Sequence, residues 1–463
     1  FVNSQALAPY LGFNEGAILT DRNDRWREDL EPVRRAADLD DESQWGIGFL
    51  PDSDWVSFKA TVTTAADQIA IAPGYLVDES TEGERRRFVY EMDAPMQNFY
   101  AVLSARYASR IEDWNGVQLA VYYHPAHEWN VERIIQSLKD SISYFGEIFS
   151  PYQYRQMRVL EFPAYATFAQ SFPNTVPWSE GIGFIADITD PEDIDYVYYV
   201  GAHEVAHQWW GHQVSAANVQ GSTSIIETLA QYSALMLMER EYGPHMMRRF
   251  LKYELDNYLS SRGGEAIEEL PLYRVENQGY IHYRKGSIVM YALKDYMGQD
   301  AVNEALRNFV ADAAYRTDPY PISRELISNL RAQAVTDEQQ DLITDMFERI
   351  TLWDLKVEEA SATERDDGRF DVTIDVSANK FEASGSGEQT EVPLDMPVDI
   401  GIFSTNPDDV TEGEDHVLML DKHRVKTGQM SFEFVVEQRP SHVGIDPYNK
   451  LIDRNSDDNL KAL

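Results

Sequence analysis

From Trp55 to Thr63 apolar and polar residues alternate, and a similar pattern returns in Gln68–Ala72, Arg87–Met92 and Val117–Tyr123. A period of two marks half-buried strands, and Pro73-Gly74 supplies a turn after the second of them. Residues 1–123 are therefore predicted to form an N-terminal β domain, whose acidic, turn-rich opening stretch yields no element of its own.

The period then changes. Asn130 is a candidate N-cap for a helix reaching about Phe149, where Ser150-Pro151 stops it, and Met157–Phe162 reads as a strand. Helical spacing follows near Pro191–Trp210, Ser224–Arg240, His245–Leu259, Tyr283–Tyr296, Ala301–Ala313, Ser323–Gln333 and Asp337–Ile350, so residues 124–350 form a mostly helical domain. Beyond Trp353 alternation resumes in Phe370–Val376, Val392–Phe403, His416–Leu420, Met430–Val436 and His442–Ile445. Residues 351–463 are expected to be a C-terminal β-sandwich, with Lys380–Gln389 as a Gly- and Ser-rich hairpin loop. The fold class is α+β, multidomain.

One helical segment carries chemistry. Asp190 suits its N-cap, Pro191 its first position, Glu192 and Asp193 its first turn, and Gly211 its stop. Within it stands His203-Glu204-Val205-Ala206-His207, an H-E-x-x-H array. Residues four apart share one helix face, so His203 and His207 can direct two imidazoles at one metal ion while Glu204 lies just round the cylinder as a base.

A hydrolytic zinc site takes three protein ligands and keeps one position open. The one carboxylate between His207 and Glu239 is Glu227, near the start of the next amphipathic segment, and it is the expected third ligand. Ser224-Ile225-Ile226-Glu227 also fits a capping box, in which the Glu would turn back to its own backbone. His212 is a rival ligand beyond the helix stop, with a hydrogen-bonding role near the site as its other reading.

H-E-x-x-H followed by Gln208-Trp209, with Glu227 some twenty positions on, resembles the aminopeptidase N family of gluzincin metallopeptidases. Tyr283-Arg284-Lys285-Gly286-Ser287 is similar to that family's Tyr-x-Lys-Gly-small signature, which implies that Tyr283 stabilises the transition state. Glu180-Gly181-Ile182-Gly183-Phe184-Ile185 can be laid over the end of the family's exopeptidase motif, with Pro177, Trp178, Ser179 and Gly181 departing from it. By that likeness Glu180 binds the substrate's α-ammonium. The resemblance implies a thermolysin-like catalytic domain, one Zn2+ per chain, peptide substrates and a trimmed N-terminal β domain without the family's large C-terminal helical domain.

Nineteen residues separate His207 from Glu227, one more than the family's usual eighteen, and the loop around Gly221 is expected to absorb it. Gln231-Tyr232-Ser233-Ala234-Leu235-Met236 and Trp210-Gly211-His212 look most like a bacterial branch fused to an ABC-transporter permease. That likeness implies a soluble, membrane-tethered portion of a larger protein. The start at Phe1, without Met or an apolar leader, fits a mature product or an excised portion.

Composition narrows the partners. A net charge of −38 over 463 residues repels nucleic acid and anionic membrane surfaces. With 43% hydrophobic and 25% charged residues the usage is globular, and no apolar run is long enough to span a bilayer. Zero cysteines exclude disulfides and thiolate ligands.

Three functions fit. In the first, a zinc aminopeptidase hydrolyses the N-terminal peptide bond by a zinc-bound water with Glu204 as general base. In the second, a zinc endopeptidase has an altered amine anchor. In the third, a non-catalytic peptide-binding domain of a transporter keeps its metal for structure, and the intact Glu204 and Tyr283 argue against it.

Overall fold

A computed structural model describes residues 1–7, 18–50, 54–190, 193–265, 267–410 and 416–463. The chain forms two compact units, Phe1–Leu237 with Leu306–Glu325, and Met238–Ala305 with Leu326–Leu463. The fold is mixed α+β, with a β-rich N-terminal region, a helical middle and C-terminal sheets.

In the first unit, Lys59–Ala65, Arg85–Glu91 and Tyr75–Glu82 form an antiparallel sheet, and Ile69–Ile71 pairs with Ala101–Ala105. A second sheet runs in the order Thr175–Ser179, Gln156–Phe162, Val117–Tyr123, Ala108–Trp114. Its last two strands are an antiparallel hairpin and the other pairings are parallel. Parallel neighbours need a crossover, and Val131–Ile148 supplies it between Val117–Tyr123 and Gln156–Phe162. Every residue of Gln156–Phe162 is buried, as expected of an inner strand.

The outer edge of Thr175–Ser179 is also occupied. The segment 168–172 folds back along it, with the amides of Gln170 and Ser179 donating to the carbonyls of Pro177 and Phe168 at 3.1 and 3.0 Å. Phe172 and Thr175 exchange bonds at 2.8 and 3.1 Å. Pro177 has no N–H, so of the reciprocal bonds it could share with Gln170 across this margin only the one from the Gln170 amide is made.

Asn130 stands at the start of Val131–Ile148, but its side chain caps nothing. Its Nδ2 donates instead to the carbonyls of Gly183 and Ala186 at 2.7 and 2.9 Å, tying down the turn after Thr175–Ser179. The helix carrying the H-E-x-x-H array spans Tyr196–Ala206, shorter than expected. Asp195 caps it, accepting from the Tyr198 amide at 2.9 Å, and Asp190 does not; Pro191 and Glu192 lie outside the described residues. Beyond His207 the chain leaves the helix in turns, and Gly211 takes φ +129°, a region that favours glycine.

The second unit contains the helices Met247–Arg262 and Gly286–Met297, and two antiparallel sheets. One holds Thr351–Glu364, Phe370–Ala383, Gln389–Val392 and Gly428–Val436; the other holds Val417–Lys426, Asp395–Phe403, His442–Ile445 and Leu460–Ala462. Trp353, Leu355, Ile374, Val376, Ile400 and Ile402 are among their buried residues. The Gly- and Ser-rich stretch expected to be loop from Lys380 is strand as far as Ala383, because Lys380–Ala383 pairs with Gln389–Val392. Lys450 Nζ meets Asp295 and Asp399 at 2.6 and 2.7 Å, fastening Gly286–Met297 to the sheets of this unit.

Candidate metal centre

Tight packing positions the helix that bears His203. Gly201 lies against Ser137 of Val131–Ile148, and a Cβ there would come within 2.2 Å of the Ser137 hydroxyl. His203 and His207 sit one turn apart with their Nε2 atoms 3.0 Å from each other. Glu227 Oε2 lies 3.5 and 3.4 Å from those two nitrogens, so three donor atoms from two elements meet at one point. No ordinary hydrogen bond reaches that oxygen, although it is buried.

Glu227 arrives on a π-helical turn, Ser224–Thr228, which leads into Leu229–Tyr242. Its side chain turns to the imidazoles and not back to the Ser224 amide, so the capping-box alternative is not realised. A π turn holds one residue more than an α turn, giving the longer His207-to-Glu227 spacing a place in the helix as well as in the loop. Trp210 Nε1 donates to Ser233 Oγ at 3.1 Å, linking the end of the histidine helix to the helix after Glu227.

His207 Nδ1 lies 2.9 Å from the Trp210 carbonyl. A carbonyl can only accept, so Nδ1 carries the proton and Nε2 presents its lone pair to the meeting point, the arrangement usual for a metal-ligating histidine. Burial opposes charge on His207, but Glu227 outweighs it and the pKa goes up to about 9. Burial likewise works to raise Glu227, and His207 and His203 overturn it, holding the carboxyl well below the usual range. A pocket that draws a proton so strongly suits a divalent cation, and two imidazoles with one carboxylate are a zinc donor set.

Glu204 is buried beside this cluster and its Oε2 has no hydrogen-bond partner. Burial raises its pKa, and the two imidazoles pull it back only in part. The helix end is held from behind by groups that no motif announces. Ser171 Oγ donates to the Glu204 carbonyl at 2.8 Å, and Gln208 Nε2 donates to Ser171 Oγ at 2.7 Å and to the Phe172 carbonyl at 3.0 Å.

His212 is not a member of the donor cluster. Burial pushes its pKa down to about 3, so it is neutral, and its Nε2 donates to the Ser171 carbonyl at 3.2 Å. Tyr283 belongs to the second unit, half-buried on the π-helical turn Tyr280–Lys285. In the same signature Lys285 is fully buried and pairs with Glu269 at 3.4 Å.

Glu180 follows Thr175–Ser179 directly, its amide donating to the Phe162 carbonyl at 2.9 Å. Its Oε1 accepts from the Ala164 amide at 2.9 Å, and its Oε2 faces His127 Nδ1 at 3.7 Å. Glu161 joins them, 2.5 Å from the same nitrogen. His127 and Glu161 are not singled out by any sequence motif, since 34 positions separate them.

The three converging donors and the buried Glu204 beside them make a candidate metal centre. Residues 133–341 match the model of the peptidase family M1 domain. Human endoplasmic reticulum aminopeptidase 2 is 23% identical over 213 residues, 44% of this chain and 22% of that protein. Aminopeptidase M1 of Arabidopsis thaliana is 21% identical over 277 residues, 56% of this chain and 30% of its own length. The crystal structure of Legionella pneumophila aminopeptidase A in complex with aspartic acid superposes with a TM-score of 0.55 at 16% identity, covering 87% of this chain and 45% of that one. The residues matched to the peptidase family M1 domain include His203, Glu204, His207, Glu227 and Tyr283. The chain spans less than a third of the length of these two curated relatives.

Proposed function

We propose that the chain is a zinc aminopeptidase that hydrolyses the N-terminal bond of peptides. The convergence of His203, His207 and Glu227, with Glu204 buried beside them, is the observation that supports this reading. Zinc held there supplies a Lewis acid that polarises a peptide carbonyl and lowers the pKa of water to about 7. The Trp210 carbonyl keeps His207 in the tautomer that can ligate. Glu204, whose Oε2 is free to accept, takes the proton of the attacking water and passes it to the leaving amine.

By the family resemblance Glu180 holds the α-ammonium of the substrate and Tyr283 donates to the carbonyl oxygen as it gains negative charge. Fusion to a membrane permease rests on the strings at Trp210–His212 and Gln231–Met236 alone. No helix among the described residues is long and apolar enough to cross a membrane.

One observation favours cleavage of internal bonds as the second reading. Glu180 is already engaged by the Ala164 amide and faces His127, which leaves less of it for an ammonium group. Hydrolysis of aminoacyl amide reporters and of N-acetylated peptides, run side by side, separates the two. We expect the amides to be cut and the acetylated peptides to resist; rapid cleavage of the blocked peptides would establish the endopeptidase. Glu204→Gln should lower kcat by about 10^2- to 10^4-fold with metal content unchanged. Unaltered turnover in that variant would remove Glu204 as the base.

A further inference from the structure

Among the described residues, two groups of three His, Asp or Glu side chains bring their donor atoms within 4.8 Å of one another. One is the centre above. The other is His127, Glu161 and Glu180, and we infer that it is a second divalent-cation site, which shares Glu180 with the peptidase reading but does not rest on it.

Its three members come from three separate places. His127 ends a turn after Val117–Tyr123, Glu161 lies on Gln156–Phe162, and Glu180 follows Thr175–Ser179, so the parallel pairing of these strands aligns the three side chains. Each carboxylate is gripped from outside by one backbone amide. Glu161 Oε2 accepts from His124 N–H at 2.5 Å and Glu180 Oε1 from Ala164 N–H at 2.9 Å. The remaining oxygens, Glu161 Oε1 and Glu180 Oε2, face His127 Nδ1 at 2.5 and 3.7 Å. Outer oxygens held by fixed donors while inner ones converge is how supporting hydrogen bonds orient metal ligands.

Charge argues the same way. The Glu161 side chain is 4% exposed, and a buried carboxylate needs a compensating positive charge. Two carboxylates here share one imidazole. Arg106 lines the adjoining cavity, but its Nε is committed to Asp67 at 2.5 Å. The cavity, about 460 Å³, opens beside Glu161 and Glu180 and leaves room for water or a ligand to complete a coordination shell. One imidazole with two carboxylates suits Zn2+ or Mn2+. Occupancy would engage the Glu180 oxygen assigned above to the α-ammonium, so the two cations would compete for it.

The test is metal stoichiometry of the full chain, stripped with chelator, reloaded with Zn2+, dialysed and analysed for metal. Wild type is expected to retain two equivalents, and Glu161→Gln and His127→Ala one each. His203→Ala should also retain one, because it loses the other ion and keeps this one, and His127→Ala/His203→Ala should retain none. If Glu161→Gln fails to fold, His127→Ala, a partly exposed turn residue, still decides the question. A single equivalent in wild type, or two in both His127→Ala and Glu161→Gln, would overturn the site and leave a plain His127–Glu161 hydrogen bond.

Discussion

Gly201 and Ser137 meet so closely that a Cβ on the glycine would stand 2.2 Å from the serine hydroxyl oxygen and 3.0 Å from its Cβ. This contact sets how near the helix bearing His203 lies to its neighbour Val131–Ile148. Gly201→Ala is expected to destabilise the protein by about 1–3 kcal/mol through overpacking. Ser137→Ala in the same chain should recover part of that loss, because the hydroxyl is the nearer obstacle. Thermal unfolding of the two single variants and the double variant measures it, and additive losses would show that the pair does not clash.

Gly183 faces a stiffer neighbour. A Cβ there would lie 2.8 Å from the ring of Trp178, which is fully buried and cannot swing aside. Gly183→Ala should therefore shift the turn after Glu180. If Glu180 anchors the substrate amine, KM for aminoacyl amides rises more than kcat falls; an unchanged KM would detach Glu180 from binding.

Ser171 is the hub behind the metal helix, bonded to the Glu204 carbonyl and to Gln208. Removing its hydroxyl leaves buried groups short of partners, which costs about 1–3 kcal/mol. A Ser171→Ala variant as stable as wild type in urea would show that water takes the hydroxyl's place.

Two carboxyls in the second unit give stability a pH dependence. Burial pushes Asp446 up to about 8 and Asp453 up to about 7, against partial opposition from backbone amides. An acid whose folded pKa lies above its unfolded value of about 3.9 binds its proton more tightly when folded, so its contribution is greatest at low pH and declines as pH climbs toward the folded value. The melting temperature should fall between about pH 5 and pH 8. Asp446→Asn should flatten that slope, and an equal slope in the variant would place its cause elsewhere.

Lys450 and Lys422 together neutralise Asp295 and Asp399 in a mostly buried cluster. Lys450→Met leaves Lys422 as the cation paired with both carboxylates and is expected to cost about 1–3 kcal/mol through the lost charge-assisted bonds, measured by denaturant unfolding. A loss below about 1 kcal/mol would mark the cluster as effectively solvated.

The elements that face a core on one side were readable from the chain. Val117–Tyr123, Ser323–Gln333 and His442–Ile445 fall where their periods put them. Tyr75–Glu82 and Ala108–Trp114 passed unnoticed, because the first is exposed along most of its length and neither is rich in apolar residues. Asp190 and Asp195 offer the same capping chemistry, and local sequence could not choose between them. Chemistry made His203, Glu204, His207 and Glu227 legible, since three of them share one helical repeat and the fourth had no competitor nearby. His127 and Glu161 are brought together by strand pairing over 34 positions, which leaves no local trace.

The fold-back of residues 168–172 along Thr175–Ser179 has spent the hydrogen-bonding groups of that margin internally. No incoming chain can zip onto it amide by amide. A chain that approaches this strand meets the folded-back segment 168–172 in place of a row of free amides and carbonyls.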